Sequence, residues 1–469
     1  MKLYNTRTRT IETLQPLTGQ TVRIYTCGPT VYDHAHIGNL STYIFADSLR
    51  RAIGLAGFNV RHAINYTDVD DKTIRRSREH FPREDPRAAL HKLTNQYIDI
   101  FLADMRRAGN DVAALTFLRA TDDAVMAGMQ ALITKLLKGG FAYLADDGIY
   151  FSIAAYRKSG KTYGQLLELN AANTSEARIQ NDEYDKESAH DFALWKKQKD
   201  NEPAWPFTLD GVDITGRPGW HIECSVMSRQ ALGQPFDIHT GGVDLIFPHH
   251  ENEIAQSTAG ETNPLMAQIF THNEHILVDG KKMAKSAGNF YTLQDIIDKG
   301  FDPLAFRIKV LQSHYRSQAN FTWESLEAAQ NALVNLRAWA DLKHQAAATQ
   351  HHTVSDGYKT ALQAILAHAQ DDLNLGWGLG ELSALANQAE TQGVDGDKIQ
   401  PLLNLADRLF GLGLAKRPDI SAQQKQVIEQ RKAARATKDW TASDILRDQL
   451  LKEGIGLRDT AQGTVWYRL

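Results

Sequence analysis

The pattern between residues 20 and 66 constrains this chain most. An apolar run at 22–26 (Val22, Ile24, Tyr25) reads as a buried strand, residues 38–53 carry helical spacing with Leu40, Ile44 and Ile53, and Asn59 to Asn65 reads as a second strand. Strand, helix and strand in so short a stretch form a βαβ unit of a nucleotide-binding half-sheet. Gly54 and Gly57 punctuate the helix end, and Thr67-Asp68-Val69-Asp70-Asp71 offers a cap and an acidic first turn for the next helix. No G-x-G-x-x-G occurs, which disfavours a dinucleotide fold. The turn after the first strand holds Cys27-Gly28-Pro29-Thr30 and then His34-Ala35-His36-Ile37-Gly38-Asn39. Imidazoles and the N–H groups of a helix start can meet a phosphate chain there, although a capped structural turn has the same composition.

Beyond about residue 95 helical spacing dominates, with Val125, Met129, Leu132, Ile133, Leu136 and Leu137 closed by Gly139-Gly140. A hairpin is expected at Asp146-Asp147-Gly148, between Tyr143 and Ile149-Tyr150-Phe151, and Asn170 to His190 reads as loop. This block interrupts an α/β pattern that resumes with Phe236-Asp237-Ile238-His239, Asp244-Leu245-Ile246-Phe247 and Ile269-Phe270-Thr271-His272. From about residue 320 the chain is Ala/Leu/Gln-rich with helical periodicity, broken at Ala346 to Gly357 and at Thr391 to Asp397. The last fifty residues begin after Arg417-Pro418-Asp419 and read as a small appended domain. The expected division is a first α/β half (1–95), an insertion (96–215), a second α/β half (216–275), a loop and connecting region (276–325), a helical bundle (326–416) and the appended domain (417–469).

The chain has only two cysteines, Cys27 and Cys224, each inside a dense polar motif, and a His-His-Glu-Asn-Glu cluster at 249–253. Sulfur, imidazole and carboxylate are the usual zinc donors. Two cysteines in 469 residues exclude a disulfide scaffold and suit a reducing compartment. No run approaches a membrane span and the first residues lack an apolar secretory core, so a cytoplasmic location is expected. The net charge of −4 gives no global case for nucleic acid; any RNA contact must use local patches such as Arg431 to Lys438. A solvated helix face would have the same appearance.

Far downstream lies Lys281-Lys282-Met283-Ala284-Lys285-Ser286-Ala287-Gly288-Asn289, a basic loop suited to stabilising charge on a transferring phosphoryl group. The pair formed by His36-Ile37-Gly38-Asn39 and this loop resembles the two signatures of class I aminoacyl-tRNA synthetases. Within that class, Cys27 to Asp33, Asn65 to Lys72, Arg217 to Ser225 and Phe247 to Glu253 look like the cysteinyl-tRNA synthetase family, and the resemblance runs from residue 3 to the C-terminus, including Lys438-Asp439-Trp440 and Gln462 to Trp466.

The resemblance implies a Rossmann-type parallel-sheet catalytic domain split by an insertion, then an α-helical bundle and a small C-terminal domain. It implies an ATP-dependent, AMP-forming ligase that joins L-cysteine to tRNA(Cys), most simply as a monomer. Zinc ligands would be Cys27, Cys224, His249 and Glu253; the residues alone do not choose His249 over His250 or Glu253 over Glu251. Gly28, Thr67, Trp220 and His239 would surround the cysteine. His36 and Asn39 would meet the ATP phosphates, Gly242 and Asp244 the adenosine, and Lys282 and Lys285 the leaving pyrophosphate, with Mg2+ accompanying ATP. Arg435, Trp440, Asp444, Asp459 and Trp466 would read the anticodon. Two positions depart from the class pattern: Asn39 stands where a second histidine is common, and Ala284 replaces a serine. Two other readings keep the same metal: a cysteine–amino-sugar ligase of the mycothiol type, and a zinc-stabilised RNA-binding protein without catalysis.

Overall fold

The computed structural model describes residues 1–167, 191–283, 288–345, 354–392, 396–460 and 463–469. Its centre is a sheet of five strands, all parallel, in the spatial order Ala267–Asn273, Phe236–Gly242, Thr21–Thr26, Asn59–Tyr66, Leu115–Arg119. Helices cover both faces, and Val22, Ile24, Tyr25, Ala63, Phe236 and Ile238 are wholly buried. Strands enclosed on both sides are apolar without alternation, which is why the run at 22–26 was legible. The order reverses between Thr21–Thr26 and Phe236–Gly242, and the crevice at the carboxyl ends of such a pair is where α/β sheets bind ligands.

Two sequence expectations are corrected here. The fifth strand, Leu115–Arg119, and the helix Pro86–Arg107 that leads to it extend the sheet past residue 95, where the first half was drawn. Five residues on a sheet edge between two long helices carry too little pattern to stand out. The segment Asp244-Leu245-Ile246-Phe247 is not a strand; it lies in two tight helical turns, Val243–Leu245 and Ile246–His250. Those turns lead directly into the helix Glu251–Thr258 and bring His249 and Glu253 under the sheet's end.

Residues 142–218 include a separate four-stranded antiparallel sheet, in which Ala142–Ala145 and Gly148–Phe151 form the expected hairpin around Asp146-Asp147. The expected loop at 170–190 and the loop residues 284–287, which include Lys285 and Ala284, lie outside the described residues. The bundle comprises Trp323–Asp341, Val354–Ala369, Leu375–Gln392 and Gly396–Phe410; of its two expected breaks, 346–353 and 393–395 lie outside the described residues, and the rest of each is helical. Two helices, Ala422–Ala436 and Trp440–Lys452, pack with the hairpin Ile455–Thr460/Gly463–Arg468 around a small core of their own. Among the described residues no helix is long and apolar enough to cross a membrane.

A buried guanidinium joins the bundle to the sheet. Arg307, wholly buried on the helix Pro303–Leu311, donates to Phe410 O at 2.5 Å, Ala108 O at 3.1 Å, Asn110 Oδ1 at 2.9 Å and Asp47 Oδ2 at 2.6 Å. Asp47 sits on the helix Ile37–Leu55 and also accepts from Arg50 and Arg51. Burial would raise its carboxyl, but the three guanidiniums outweigh that and hold it far below the usual range.

Candidate active site

Both cysteines stand at the crevice. Cys27 follows the first strand directly, and Cys224 lies on the helix Trp220–Leu232, whose opening residues are the Trp220-His221-Ile222-Glu223-Cys224 motif. Their sulfurs are 3.7 Å apart, Cys27 Sγ is 3.5 Å from Glu253 Oε1, and His249 Nε2 is 3.0 Å from that same oxygen. One ligand atom from each of Cys27, Cys224, His249 and Glu253 lies within 4.8 Å of all the others, and all four residues are buried. Thiolates about 2.3 Å from a tetrahedral ion sit about 3.8 Å apart. The spacing and the soft–borderline donor set therefore fit a divalent transition metal.

A second, overlapping group consists of Cys27, His239, His250 and Glu253. It offers one sulfur instead of two, and both of its imidazoles have other work. His239 Nε2 is 2.8 Å from Glu253 Oε2, the oxygen on the far side of the carboxylate. His250 Nδ1 is 2.8 Å from His272 Nε2, whose Nδ1 meets Thr6 Oγ1 at 2.8 Å. Partners that orient the donors in this way are what a metal centre requires around it. His221 does the same for His249, with the two Nδ1 atoms 2.9 Å apart.

The electrostatics favour the ionised form at two of the donors, Cys224 and Glu253. Burial pushes Cys224 up, but the hydrogen bond with Cys27 and the neighbouring His249 bring it down to about 6. Burial lowers His249, yet Glu253 and Cys224 raise it to about 10. Burial raises Glu253, and His239 and His249 outweigh that, bringing it to about 2. Cys27 is pushed well up, first by burial and then by Cys224. A cluster that already holds a thiolate and a carboxylate with a proton on His249 can exchange that proton for a cation.

Gly28, Thr67, Trp220 and His239 surround this cluster. The indole of Trp220 stacks on His249 with centroids 4.2 Å apart. Thr67 Oγ1 donates to Glu223 Oε2 at 2.9 Å. Gly28 must be glycine, since a Cβ there would lie 1.6 Å from Asn65 O. His239 is wholly buried, and its Nδ1 has no partner among the described residues.

His36 is the N-cap of the helix Ile37–Leu55. Its Nδ1 accepts from the Asn39 N–H at 3.1 Å, and its own N–H donates to Asn39 Oδ1 at 3.3 Å, a reciprocal capping box. The Asn39 amide therefore closes the turn that a second imidazole often occupies in the class. The basic loop lies against it: Ile37 N–H donates to Tyr291 O at 2.8 Å, the Phe290 ring is 5.1 Å from His36, and Met283 so covers Gly38 that a Cβ there would come within 2.4 Å of Met283 Cε. Lys282 is exposed beside this contact. Gly242 ends its strand next to Asp244, whose carboxylate covers it: a Cβ there would lie 2.4 Å from Asp244 Oδ1.

The anticodon candidates are split. Trp440 is 56% exposed with Arg435 at 5.6 Å above its ring, and Asp444 is exposed beside Arg447. Asp459 is held by Arg431 at 2.9 Å and 3.0 Å and by Arg435 at 3.0 Å. Trp466 is only 5% exposed, lies in the small core and exchanges backbone hydrogen bonds with the Gln345 amide. Sequence reasoning missed His221, His272, Asn65 and Glu223 as parts of the site. All four stand inside segments it had quoted, but their roles depend on which way a helix or strand faces.

Comparison with known proteins now identifies the fold and then the family. The chain is similar over 84–87% of its length to synthetases of low sequence identity. These include the Mycobacterium tuberculosis methionyl-tRNA synthetase in complex with methionyl-adenylate (TM-score 0.56, 14% identical, covering 85% of this chain and 88% of that one) and the Agrobacterium radiobacter LeuRS–tRNA–LeuAMS ternary complex (TM-score 0.59, 10%, 87% and 86%). Residues 13–331 match the family of class I tRNA synthetase (C) catalytic domains, which sets the class. Residues 417–468 match the cysteinyl-tRNA ligase anticodon binding domain. Cysteine–tRNA ligases of Brachyspira hyodysenteriae (38% identical over 99% of this chain and 98% of the relative) and Chlamydia trachomatis (39%, 98% and 98%) align nearly end to end. The chain belongs to the cysteine–tRNA ligase family.

Proposed function

We propose that this protein activates L-cysteine with ATP, releases pyrophosphate, and transfers cysteine to the terminal adenosine of tRNA(Cys). The observation that carries this reading is the convergence of Cys27, Cys224, His249 and Glu253 at the crevice entered by the His36-Ile37-Gly38-Asn39 helix. Those four residues would hold zinc. When bound, zinc supplies a soft acceptor that takes a thiolate far better than the neutral hydroxyl of serine, a distinction shape alone makes only about 10²-fold.

The chain's own residues do the rest. His36 and Asn39 meet the phosphates of Mg2+-bound ATP, with Gly242 and Asp244 at the adenosine. His239 and Trp220 close on the amino acid, so that its carboxylate is aligned for in-line attack on the α-phosphorus. Lys282 and Lys285 balance charge on the departing pyrophosphate, and the tRNA ribose hydroxyl then attacks the acyl carbon of the adenylate. The bundle from 326 and the domain 417–469 are assigned to tRNA, with Trp440, Arg435, Asp444 and Asp459 at the anticodon and Trp466 supporting them from the small core. The reading takes the protein as a cytoplasmic monomer with one zinc per chain.

An anticodon-type domain over 417–468 disfavours an amino-sugar ligase, and the retention of His36, Lys282 and Lys285 in the two signatures disfavours a protein that has lost catalysis. Cysteine-dependent ATP–pyrophosphate exchange, followed by charging of tRNA(Cys), tests the reading. Exchange is expected with cysteine and not with serine; absence of cysteine-dependent exchange by metal-loaded protein overturns it.

A further inference from the structure

Two carboxylates of the run Phe247 to Glu253 face opposite ways. Glu253 points inward, with Oε1 3.0 Å from His249 Nε2 and Oε2 2.8 Å from His239 Nε2. Glu251 is also buried but points to the insertion: its Oε1 accepts the N–H of Gly164 at 2.6 Å and of Gln165 at 2.9 Å, and its Oε2 that of Leu166 at 3.0 Å. Successive backbone N–H groups in a turn form a concavity for an anion, and here the anion is the chain's own side chain. Gly164 lies at φ +101°, a conformation that glycine adopts without strain, and this lets the backbone turn those donors to one side. All three partners are donors, so the arrangement suits the ionised carboxylate and commits both of its oxygens to the insertion.

The anchored segment follows the helix Glu251–Thr258 along its length. The Tyr163 hydroxyl donates to Asn252 Oδ1 at 2.6 Å, and its ring meets that of Phe247 edge-on with centroids 6.4 Å apart. Toward the other end, Tyr156 Oη and Thr258 Oγ1 are 2.7 Å apart, and Lys161 Nζ donates to Glu261 O at 3.0 Å. At about 3.6 residues per turn, Glu251 and Thr258 project from the side of this helix roughly opposite Glu253. The helix is therefore clasped between residues 156–166 on one side and the donor cluster on the other. Residue 251 lies midway in the chain between His249 and Glu253, so a shift of its backbone displaces both donors.

We infer that Glu251 is a positioning residue for the metal centre: by fastening the turn between His249 and Glu253 to the insertion, it holds both donors where one ion can take them. The inference rests on Cys27, Cys224, His249 and Glu253 holding a divalent metal. It couples two parts of the molecule, because a strap that steadies the donors is steadied in turn by the ion they bind. A strap that served the fold alone would loosen on loss of Glu251 without any regard to the metal.

Amide hydrogen exchange over residues 156–166 is measured on the full-length wild type with Zn2+ bound and after chelation. Zn2+ should slow it by about fivefold or more, while exchange of the helix Ala422–Ala436 in the C-terminal domain stays unchanged. The amide of Glu251→Gln must turn a donor toward at least one of the three N–H groups. In that variant the metal-dependent protection should vanish, and Zn2+ affinity, read by competition with a chromogenic chelator, should fall by about tenfold. Tyr156→Phe cuts the same strap at the far end of the helix; it should melt at a lower temperature yet keep Zn2+ affinity within about twofold of wild type. Strap exchange that ignores Zn2+ in the wild type, unchanged affinity in Glu251→Gln, or an equal loss of affinity in Tyr156→Phe overturns the inference. Should Glu251→Gln fail to fold, the wild-type exchange comparison decides alone. Wild-type protein that takes up no divalent metal overturns the metal assignment itself, whereas wild type that binds Zn2+ without protecting the strap overturns only the role of Glu251.

Discussion

The catalytic crevice and the C-terminal domain recognise by opposite physical means. In the crevice, Cys27, Cys224, His249, Glu253 and the imidazoles behind them are buried and held to one another by hydrogen bonds, so specificity resides in groups fixed before any ligand arrives. In the C-terminal domain the candidate anticodon groups are outside: Trp440 is open to solvent under Arg435, and Arg431 and Arg435 grip Asp459 at the edge of the hairpin. A small amino acid must be enclosed to be told apart, whereas a large polynucleotide can be read only by a surface. The crevice should therefore be brittle to substitution and the outer domain graded.

The sharpest break is Cys224→Ala. It removes one of two sulfurs from the donor set, and metal-to-protein ratio together with cysteine-dependent exchange should fall, the latter by more than about 100-fold. Retention of metal and exchange would remove the crevice from the comparison. Trp440→Ala comes next. Loss of one stacking surface should raise the KM for tRNA by about tenfold or more while pyrophosphate exchange, which needs no tRNA, is unchanged; a parallel loss of exchange would mean that the indole serves the fold.

Acid should also separate the two regions. His62, buried on the central sheet with Nε2 on Thr26 Oγ1 at 2.8 Å, is lowered to about 3, chiefly by burial. Its unfolded form takes up a proton near the ordinary value of 6.5, so the folded state is favoured fully above that pH and loses about 1 kcal/mol per pH unit as acid is added through the window down to about 3. Thermal melts at pH 7 and pH 4.5 should show a smaller acid-induced drop for His62→Gln than for wild type. The Asp459 carboxyl, lowered by its hydrogen bond from Arg431, keeps its pairing over the same range. The smallest effect belongs to Arg447→Ala: its contact with Asp444 at 3.4 Å is exposed on both sides, and urea melts should move by less than about 0.5 kcal/mol. A larger shift would show that the outer domain is as interlocked as the crevice.

The legibility of the sequence follows the same division. The enclosed strand at 22–26, the two cysteines and the His-His-Glu run were visible because burial and metal-donor chemistry each restrict residue type severely. The edge strand Leu115–Arg119 was not, since five residues between long helices leave no period to read. The choice between His249 and His250 is not legible in the sequence: adjacent residues differ only by their rotation about the turn Ile246–His250, both imidazoles fall in possible donor groups, and their partners His221 and His272 are remote in sequence. Trp466 shows the converse. Its residue type suits base stacking, but its neighbours Ile420, Val427 and Ile428 make it core.

Arg307 sets the span between those two recognition regions. Its guanidinium reaches a helix carbonyl of the bundle, a turn of the sheet domain and a carboxylate on the helix that His36 opens, and a lysine, whose donors radiate from one atom, could not satisfy that planar fork. Any sliding of bundle against sheet would first have to strip a buried cation of its partners, at a cost of about 3–5 kcal/mol. The molecule thus resembles a caliper locked at its joint, where buried partners hold sheet and bundle at one spacing.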